Sequence, residues 1–296
     1  MILVFCMILL LLGITIDLSY SEVLIHSNDR RYEAWYDLMH GKIDADIIVN
    51  GSSRAWVHIS PIILDSILQT NTYNLGIDGS SINRQIRKYR LFQQYNRKPK
   101  LIIQNIDCWA LDEVVGYERE QFFPYFWNNY IRKEFYETEP ISFTEKYIPL
   151  VRYHGKFSMS SFVPHPKTLI RGYKGLDLVW NGKQYNEIES IVFSYNNLVA
   201  KSFDNFLQSV TKNGIKVVFV YTPQYIGATH KITNLNEMHA FYKKIADKYN
   251  IPILDYTNMW ICNDTTYFYN AMHLNRNGAE IFSDSLANDI KRLHLI

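Results

Sequence analysis

The chain has 296 residues, a formal net charge of +2 from 31 Lys and Arg against 29 Asp and Glu, and 47% apolar residues. That length allows one sizeable core, built as a single α/β domain with an insertion or as two domains. The balanced charge, with no dense Lys/Arg stripe, argues against nucleic acid as a partner, and no CxxC, HExxH or paired histidines mark a metal, so no metal or cofactor is expected.

Met1 to Ile16 is almost wholly apolar and the run ends at Asp17. It is short for a membrane span of about 20 residues and closer to a signal-peptide core. Ser19 and Ser21 place small residues where a signal peptidase needs them, yet no Lys or Arg precedes the apolar run. Residues 1–21 are therefore expected to be a signal peptide or an uncleaved membrane anchor, followed by one domain over 22–296 on the extracytoplasmic side. Cys6 has no lipobox around it, because Phe5 is too large for the position before a lipidated cysteine.

From Asp46 onward strand and helix signals alternate. Asp46–Asn50 reads as a buried strand, and Pro61–Gln69 as a helix with Ser60 as cap and Pro61 at its first position. A second strand is expected at Tyr73–Ile77, a helix from about Ser81 to Tyr95, and a third strand at Leu101–Ile106. Arg84, Arg87, Lys88 and Arg90 read as the solvated face of that helix. From about Cys108 to Trp180 the period is lost and Trp, Tyr and Phe accumulate; 15% of the whole chain is aromatic. This stretch reads as an insertion at the carboxyl edge of the sheet, either ligand-binding or a packing appendage, with His154 and His165 as surface residues.

The pattern then resumes. Ile188, Val192, Tyr195, Val199, Phe206 and Val210 mark one face of a long helix stopping at Asn213-Gly214. Strands follow at Lys216–Tyr221 and Pro252–Asp255, with helices at Leu235–Tyr249 and about Asn275–Leu293. Short apolar runs separated by helices predict a three-layer α/β/α sandwich on a five-stranded parallel sheet, flavodoxin-like in type. Cys108 and Cys262 follow two different strands on one rim, so a disulfide between them stays open.

Two distant segments carry chemistry. Gly51-Ser52-Ser53-Arg54 delivers a serine at the end of the first strand, and Asn270-Ala271-Met272-His273 delivers a histidine before the last helix. A serine hydroxyl becomes a nucleophile when a histidine takes its proton. With Asn74-Leu75-Gly76-Ile77-Asp78-Gly79 and the closing His273-Leu274-Asn275 … Gly278-Ala279, the chain resembles the SGNH/GDSL hydrolase superfamily over about 46–293, the insertion unmatched.

The resemblance implies Ser53 as nucleophile, His273 as base, and Ser53 and Gly79 N–H groups as oxyanion donors. It also puts Asn270 where the family has an aspartate, so the histidine partner lacks a charge. The third block is degraded to Gln104-Asn105-Ile106-Asp107, with Asn105 as the oxyanion donor if the register shifts by one. Arg54 either binds an anionic substrate or acyl donor, or pairs with a carboxylate such as Asp78. The implied activity is that of an exported serine esterase or O-acyltransferase acting on acyl esters of an envelope or secreted glycan, in a bacterial setting. The alternative is a catalytically silent protein of the same fold that binds glycan or a membrane partner.

Overall fold

The computed structural model describes residues 1–27, 30–112, 119–136, 141–155, 163, 166–182 and 189–296. Ile188 and His165, singled out above, lie outside the described residues. The chain forms two compact units: Met1–Lys42 with Gly116–Thr168, and Ile43–Val115 with Leu169–Ile296. In chain order the elements begin with α1 (Ile2–Ile25), α2 (Arg30–Met39), β1 (Ile47–Asn50), α3 (Ser53–His58), α4 (Pro61–Leu68) and β2 (Thr72–Asn74). Next come α5 (Ile82–Tyr95), β3 (Leu101–Asn105), α6 (Asn129–Ile131), α7 (Phe143–Tyr147), α8 (Asn197–Lys212) and β4 (Lys216–Tyr221). The last are α9 (Ile226–His230), α10 (Leu235–Tyr249), β5 (Ile253–Asp255), β6 (Phe268–Asn270), β7 (His273–Leu274) and α11 (Arg276–Arg292).

In the first unit α1 is one continuous helix of 24 residues, and Asp17, Tyr20, Ser21 and Leu24 form its buried stripe. These positions recur at helical spacing, so they share one face. The Asp17 carboxylate pairs with the buried Arg152 guanidinium and accepts the Leu150 N–H at 2.8 Å. Ser21 Oγ lies 2.8 Å from the Tyr153 hydroxyl. Tyr20, Leu24, Tyr32, Phe123 and Tyr153 pack together as a small core. The peptide bond after Ser21, the cleavage point if residues 1–21 are a signal peptide, thus sits inside a helix packed into this unit. Further along, Trp35 donates its indole N–H to Gln121 at 2.7 Å and abuts Phe122, which stacks on Phe135.

The second unit holds a five-stranded sheet of order β2-β1-β3-β4-β5, parallel throughout. Both faces are covered, which is why its central strands read as unbroken apolar runs. Alternate side chains point to opposite faces. Val218 and Val220 meet the side covered by α3, α4 and α11, where Ala55, Ile59, Leu64, Phe282, Leu286 and Ile290 are buried. Phe219 points the other way, against Phe203 of α8 and Tyr242 of α10. These are the predicted three layers.

Some expectations shift. The helix expected to include Val192 and Tyr195 begins only at Asn197, because the Asn196 side chain accepts the Leu198 and Val199 N–H groups and starts the helix there. Arg84 and Lys88 are buried rather than solvated; α5 packs against α8, and its Gln85 accepts the Gln104 side-chain N–H of β3. Burial lowers the Lys88 ammonium pKa to about 7. Cys108 and Cys262 are both free and buried, and burial pushes their thiols up to about 12 and about 11.

The sheet order places the site. β2 lies on one side of β1 and β3 on the other, so the chain leaving the carboxyl ends of β1 and β3 diverges and opens a crevice. Gly51 is the pivot: a Cβ there would stand 2.6 Å from the Cβ atoms of both Ala55 and Asn105. Gly51→Ala is accordingly expected to lower stability by about 1–3 kcal/mol through overpacking. Gly214→Ala, where φ is +73° and the space is open, should cost less. Thermal unfolding of the two variants in the same detergent checks the order; equal shifts would remove the pivot role.

Candidate active site

The turn after β1 exposes Ser53 as the first residue of α3. Ser52, with extended backbone (φ −81°, ψ −161°), precedes it as the cap residue. Its hydroxyl does not cap the helix; it donates to Asp107 Oδ2 at 2.7 Å, with Asn105 Oδ1 at 3.1 Å. Asp107 in turn accepts the Trp109 N–H at 3.0 Å through its other oxygen. The polar residues after β3 therefore hold Ser52, and this leaves the neighbouring Ser53 side chain free to face elsewhere.

What it faces is His273. Ser53 Oγ lies 2.8 Å from His273 Nε2. The histidine sits on the antiparallel β6–β7 hairpin, whose tight turn is closed by Asn270 Oδ1 accepting the Met272 N–H at 2.9 Å. A backbone N–H only donates, so this contact fixes which end of the Asn270 amide is oxygen. The same oxygen lies 3.0 Å from His273 Nδ1. Nδ1 therefore carries the proton, and Nε2 presents its lone pair to the serine. Tyr269 stacks on the ring with planes 7° apart.

A second histidine supports this geometry. His58, at the end of α3, is fully buried and its Nε2 accepts the Leu274 N–H at 3.1 Å. Its carbonyl accepts the Ser283 hydroxyl from α11 at 3.2 Å. Asn74 performs the matching task for the Asn74–Gly79 segment. Its side-chain N–H₂ donates to the Ala55 and Ile59 carbonyls at 2.7 and 2.9 Å, while its oxygen accepts the Gly76 N–H at 2.8 Å. The loop that carries Gly79 is thus pinned to α3.

The electrostatics depart from a carboxylate-backed triad. Burial, then the positive charge of Arg54, lowers the His273 pKa to about 3. His58 is held well below its usual range by burial, His273 and Arg54. Arg54 is only 6% exposed. Its Nη2 is buried without a hydrogen-bond partner, and no carboxylate, Asp78 included, pairs with it among the described residues. The indole of Trp109 lies over it, with the ring centroid 5.5 Å from the guanidinium carbon. A guanidinium does not shed its proton, so this is a standing buried charge with no carboxylate paired to it among the described residues.

Of the residues expected from sequence, Ser53, His273 and Asn270 form one hydrogen-bonded line. Gly79 adopts φ +59° on an exposed turn. Neither its N–H nor that of Ser53 meets an acceptor among the described residues. Asn105 differs from expectation. It is fully buried, its amide nitrogen lies 3.4 Å from the carbonyls of Ile106 and Val220, and its oxygen faces Ser52. Both ends of that side chain are engaged by protein groups, because the turn at Gly51 brings Ser52 directly over it. His154 is exposed, as expected of a surface residue. Sequence reasoning missed His58 and Tyr269, and named Asn74 and Asp107 only as members of their segments, without these roles. The Asp107 position, two residues past an apolar strand, was a readable signal; the reach of His58 to Leu274 was not.

No protein-family model matches the chain, and no curated protein matches it. Solved structures similar to it include an acetyl xylan esterase, at 13% identity and TM-score 0.42, covering 82% of this chain and 98% of that one. Another is a GDSL-like lipase from Bacteroides thetaiotaomicron VPI-5482, at 10% identity and TM-score 0.40, covering 83% and 88% respectively. A protein from Desulfitobacterium hafniense DCB-2 assigned to the lipolytic G-D-S-L family is similar at 10% identity and TM-score 0.43, covering 83% and 99%. At such values the chain's own geometry decides what its site can do.

Proposed function

We propose that this protein is a membrane-anchored, extracytoplasmic serine enzyme that cleaves or transfers acyl groups held in ester linkage, with an acylated glycan as its substrate class. The observation that carries the reading is the line from Asn270 Oδ1 through His273 to Ser53 Oγ, with contacts of 3.0 and 2.8 Å. His273 Nε2 takes the Ser53 proton as Oγ attacks the ester carbonyl carbon. The Ser53 and Gly79 N–H groups receive the developing oxyanion. His273 then returns the proton to the departing alcohol, leaving acyl-Ser53. Water or a sugar hydroxyl, deprotonated by the same imidazole, releases the acyl group. The glycan is supported by the family resemblance and by the part-exposed indole of Trp109.

Arg54 shapes the substrate. A buried guanidinium without a counter-ion is strongly unfavourable, and an anion on the substrate relieves that cost. The same anion offsets the charge that depresses His273, so the base gains strength when the right substrate is bound. The low basicity of His273 in the empty site, together with the uncharged Asn270, also favours the rival reading of a silent binding protein. Kinetics separate the two.

With 4-nitrophenyl acetate, Ser53→Ala and His273→Ala are expected to fall to the uncatalysed background. Asn270→Asp should raise turnover, since the carboxylate keeps both hydrogen bonds and adds charge behind the imidazole; about 10⁴-fold is the ceiling set by the reverse change in serine proteases. Identical rates for wild type and Ser53→Ala would leave the binding reading standing.

For Arg54→Met, kcat/KM for an ester whose acyl chain ends in a carboxylate should drop roughly 10- to 100-fold, the worth of a lost charged hydrogen bond, while the neutral ester keeps its rate or gains from the stronger base. Removing the positive charge also raises the His273 pKa, so the acid limb of the pH profile moves up from about 3. No change in anion preference would dismiss this role for Arg54. The anchor reading is checked by intact mass: the mature protein should retain residues 1–21, and a product beginning after Ser21 would contradict it.

A further inference from the structure

The outward face of α1 stays apolar over a longer stretch than the helix stands clear of its own unit. Exposed Ile, Leu, Val, Phe and Met side chains run from Ile2 to Leu18. The hydroxyl of Thr15, on that stretch, is satisfied by the Leu11 carbonyl at 2.9 Å. Seventeen helical residues rise about 25 Å, close to the roughly 30 Å hydrocarbon thickness of a bilayer. The first exposed charge after them is Glu22, paired with His26 at 3.3 Å. The exposed apolar stretch therefore ends between Leu18 and Glu22.

The chain from Pro149 to Tyr153 runs alongside the lower part of this same stretch. A Cβ at Gly13 would stand 3.4 Å from Pro149 Cβ. Asp17 holds Leu150 and Arg152, and Ser21 holds Tyr153. Only Ile2–Leu12, rising about 16 Å, project beyond the Pro149 contact, roughly half a hydrocarbon core. A bilayer that covers the apolar face of α1 down to Leu18 must then also reach Pro149 and the residues just before it.

Those residues suit it. Phe143, Tyr147 and Ile148 are 74%, 56% and 47% exposed, an apolar surface with no protein cover among the described residues. Phe143 and Tyr147 lie one helical turn apart on α7 with ring centroids 4.7 Å apart, and the Lys146 ammonium sits 4.9 Å over the Tyr147 ring. Aromatic rings flanked by a snorkelling lysine are the composition of a membrane–water interface. Glu145, the carboxylate on this turn, is engaged by the Ser142 N–H and hydroxyl in a capping box. Asp17, the one charge inside the apolar stretch, is buried against Arg152 and meets no lipid.

We propose that Phe143, Tyr147 and Ile148 form a second membrane-contacting surface, seated in the interfacial layer beside the anchor helix, so that the first unit is partly sunk in the bilayer rather than tethered above it. The proposal rests on α1 being a membrane anchor, and its test keeps the two apart. The full chain, with Cys6→Ser, is reconstituted in phosphatidylcholine–phosphatidylglycerol vesicles, where the buried Cys108 and Cys262 stay unlabelled. Nitroxide labels are placed singly by Leu9→Cys, Glu22→Cys, Phe143→Cys, Tyr147→Cys and Ile148→Cys. Collision with oxygen, which enters lipid, is compared with collision with a water-soluble nickel complex.

The expected result is that positions 143, 147 and 148 lose nickel collision and gain oxygen collision as position 9 does, while position 22 keeps nickel access. Nickel access at 143, 147 and 148 equal to that at 22, with position 9 protected, would overturn the second surface and leave the anchor intact. Nickel access at position 9 would overturn the anchor and the proposal together. All five positions carry exposed side chains, so the labels leave the packed stripe of α1 untouched.

Discussion

The Leu274 N–H donates to the buried ring of His58, and this single contact joins the helix after the first strand to a hairpin more than two hundred residues later. Everything at the site depends on that junction. α3 carries Ser53 at its start and His58 at its end. β7 carries His273 and Leu274 side by side. Fixing Leu274 to one end of α3 sets His273 against the other end. Ser283 repeats the tie from α11, accepting the Ser60 N–H at 2.8 Å and donating to the His58 carbonyl. The serine–histidine contact is then a consequence of backbone anchoring, not of two flexible side chains finding one another.

The charge pattern around this contact is unusual for a site built to move a proton. Asn270 orients the imidazole and offers no charge, while Arg54 opposes protonation of the ring from nearby. Both act in the same direction, toward a neutral histidine in the empty site. The residues that most resemble catalytic support, Asn105 and Asp107, are instead turned to Ser52 and hold the turn in shape. In the proposed reaction the missing negative charge is the substrate's to supply, with Arg54, beside Trp109, receiving it.

The first unit solves a different problem. A helix apolar on all sides gains nothing from facing water, yet one stripe of α1 carries Asp17 and Ser21 into a small aromatic core. The Asp17–Arg152 pair is costly to bury and does not repay that cost unless its geometry is good, but once formed it specifies one register of the helix against residues 149–153. That register brings Pro149 level with Gly13, and Phe143, Tyr147 and Ile148, just before it in the chain, are exposed.

Much of this was legible in the residues. Continuous apolar runs such as Ile47–Val49 and Leu101–Ile103 identify strands buried on both faces, because only a doubly covered sheet removes the need for alternation. Gly-Ser-Ser after the first of them and Asn-x-x-His before the last helix single out Ser53 and His273 as the candidate pair, through their order in the α/β pattern and the family resemblance. The start of α8 was misplaced because Val192 and Tyr195 match a helical period without being helical; the Asn196 cap overrides the pattern locally. Arg84 and Lys88 were misjudged because burial depends on what packs on a helix, and α8 is a hundred residues away in sequence. The reach of His58 and of the Asn74 side chain, and the absence of a carboxylate paired with Arg54 among the described residues, were invisible for the same reason. Sequence determines which local conformations and which chemical groups are available, since these follow from short-range sterics and side-chain type. Which groups meet is decided by tertiary structure, because contacts such as Leu274 with His58 come into being only when the sheet order brings the two ends of the chain to one crevice.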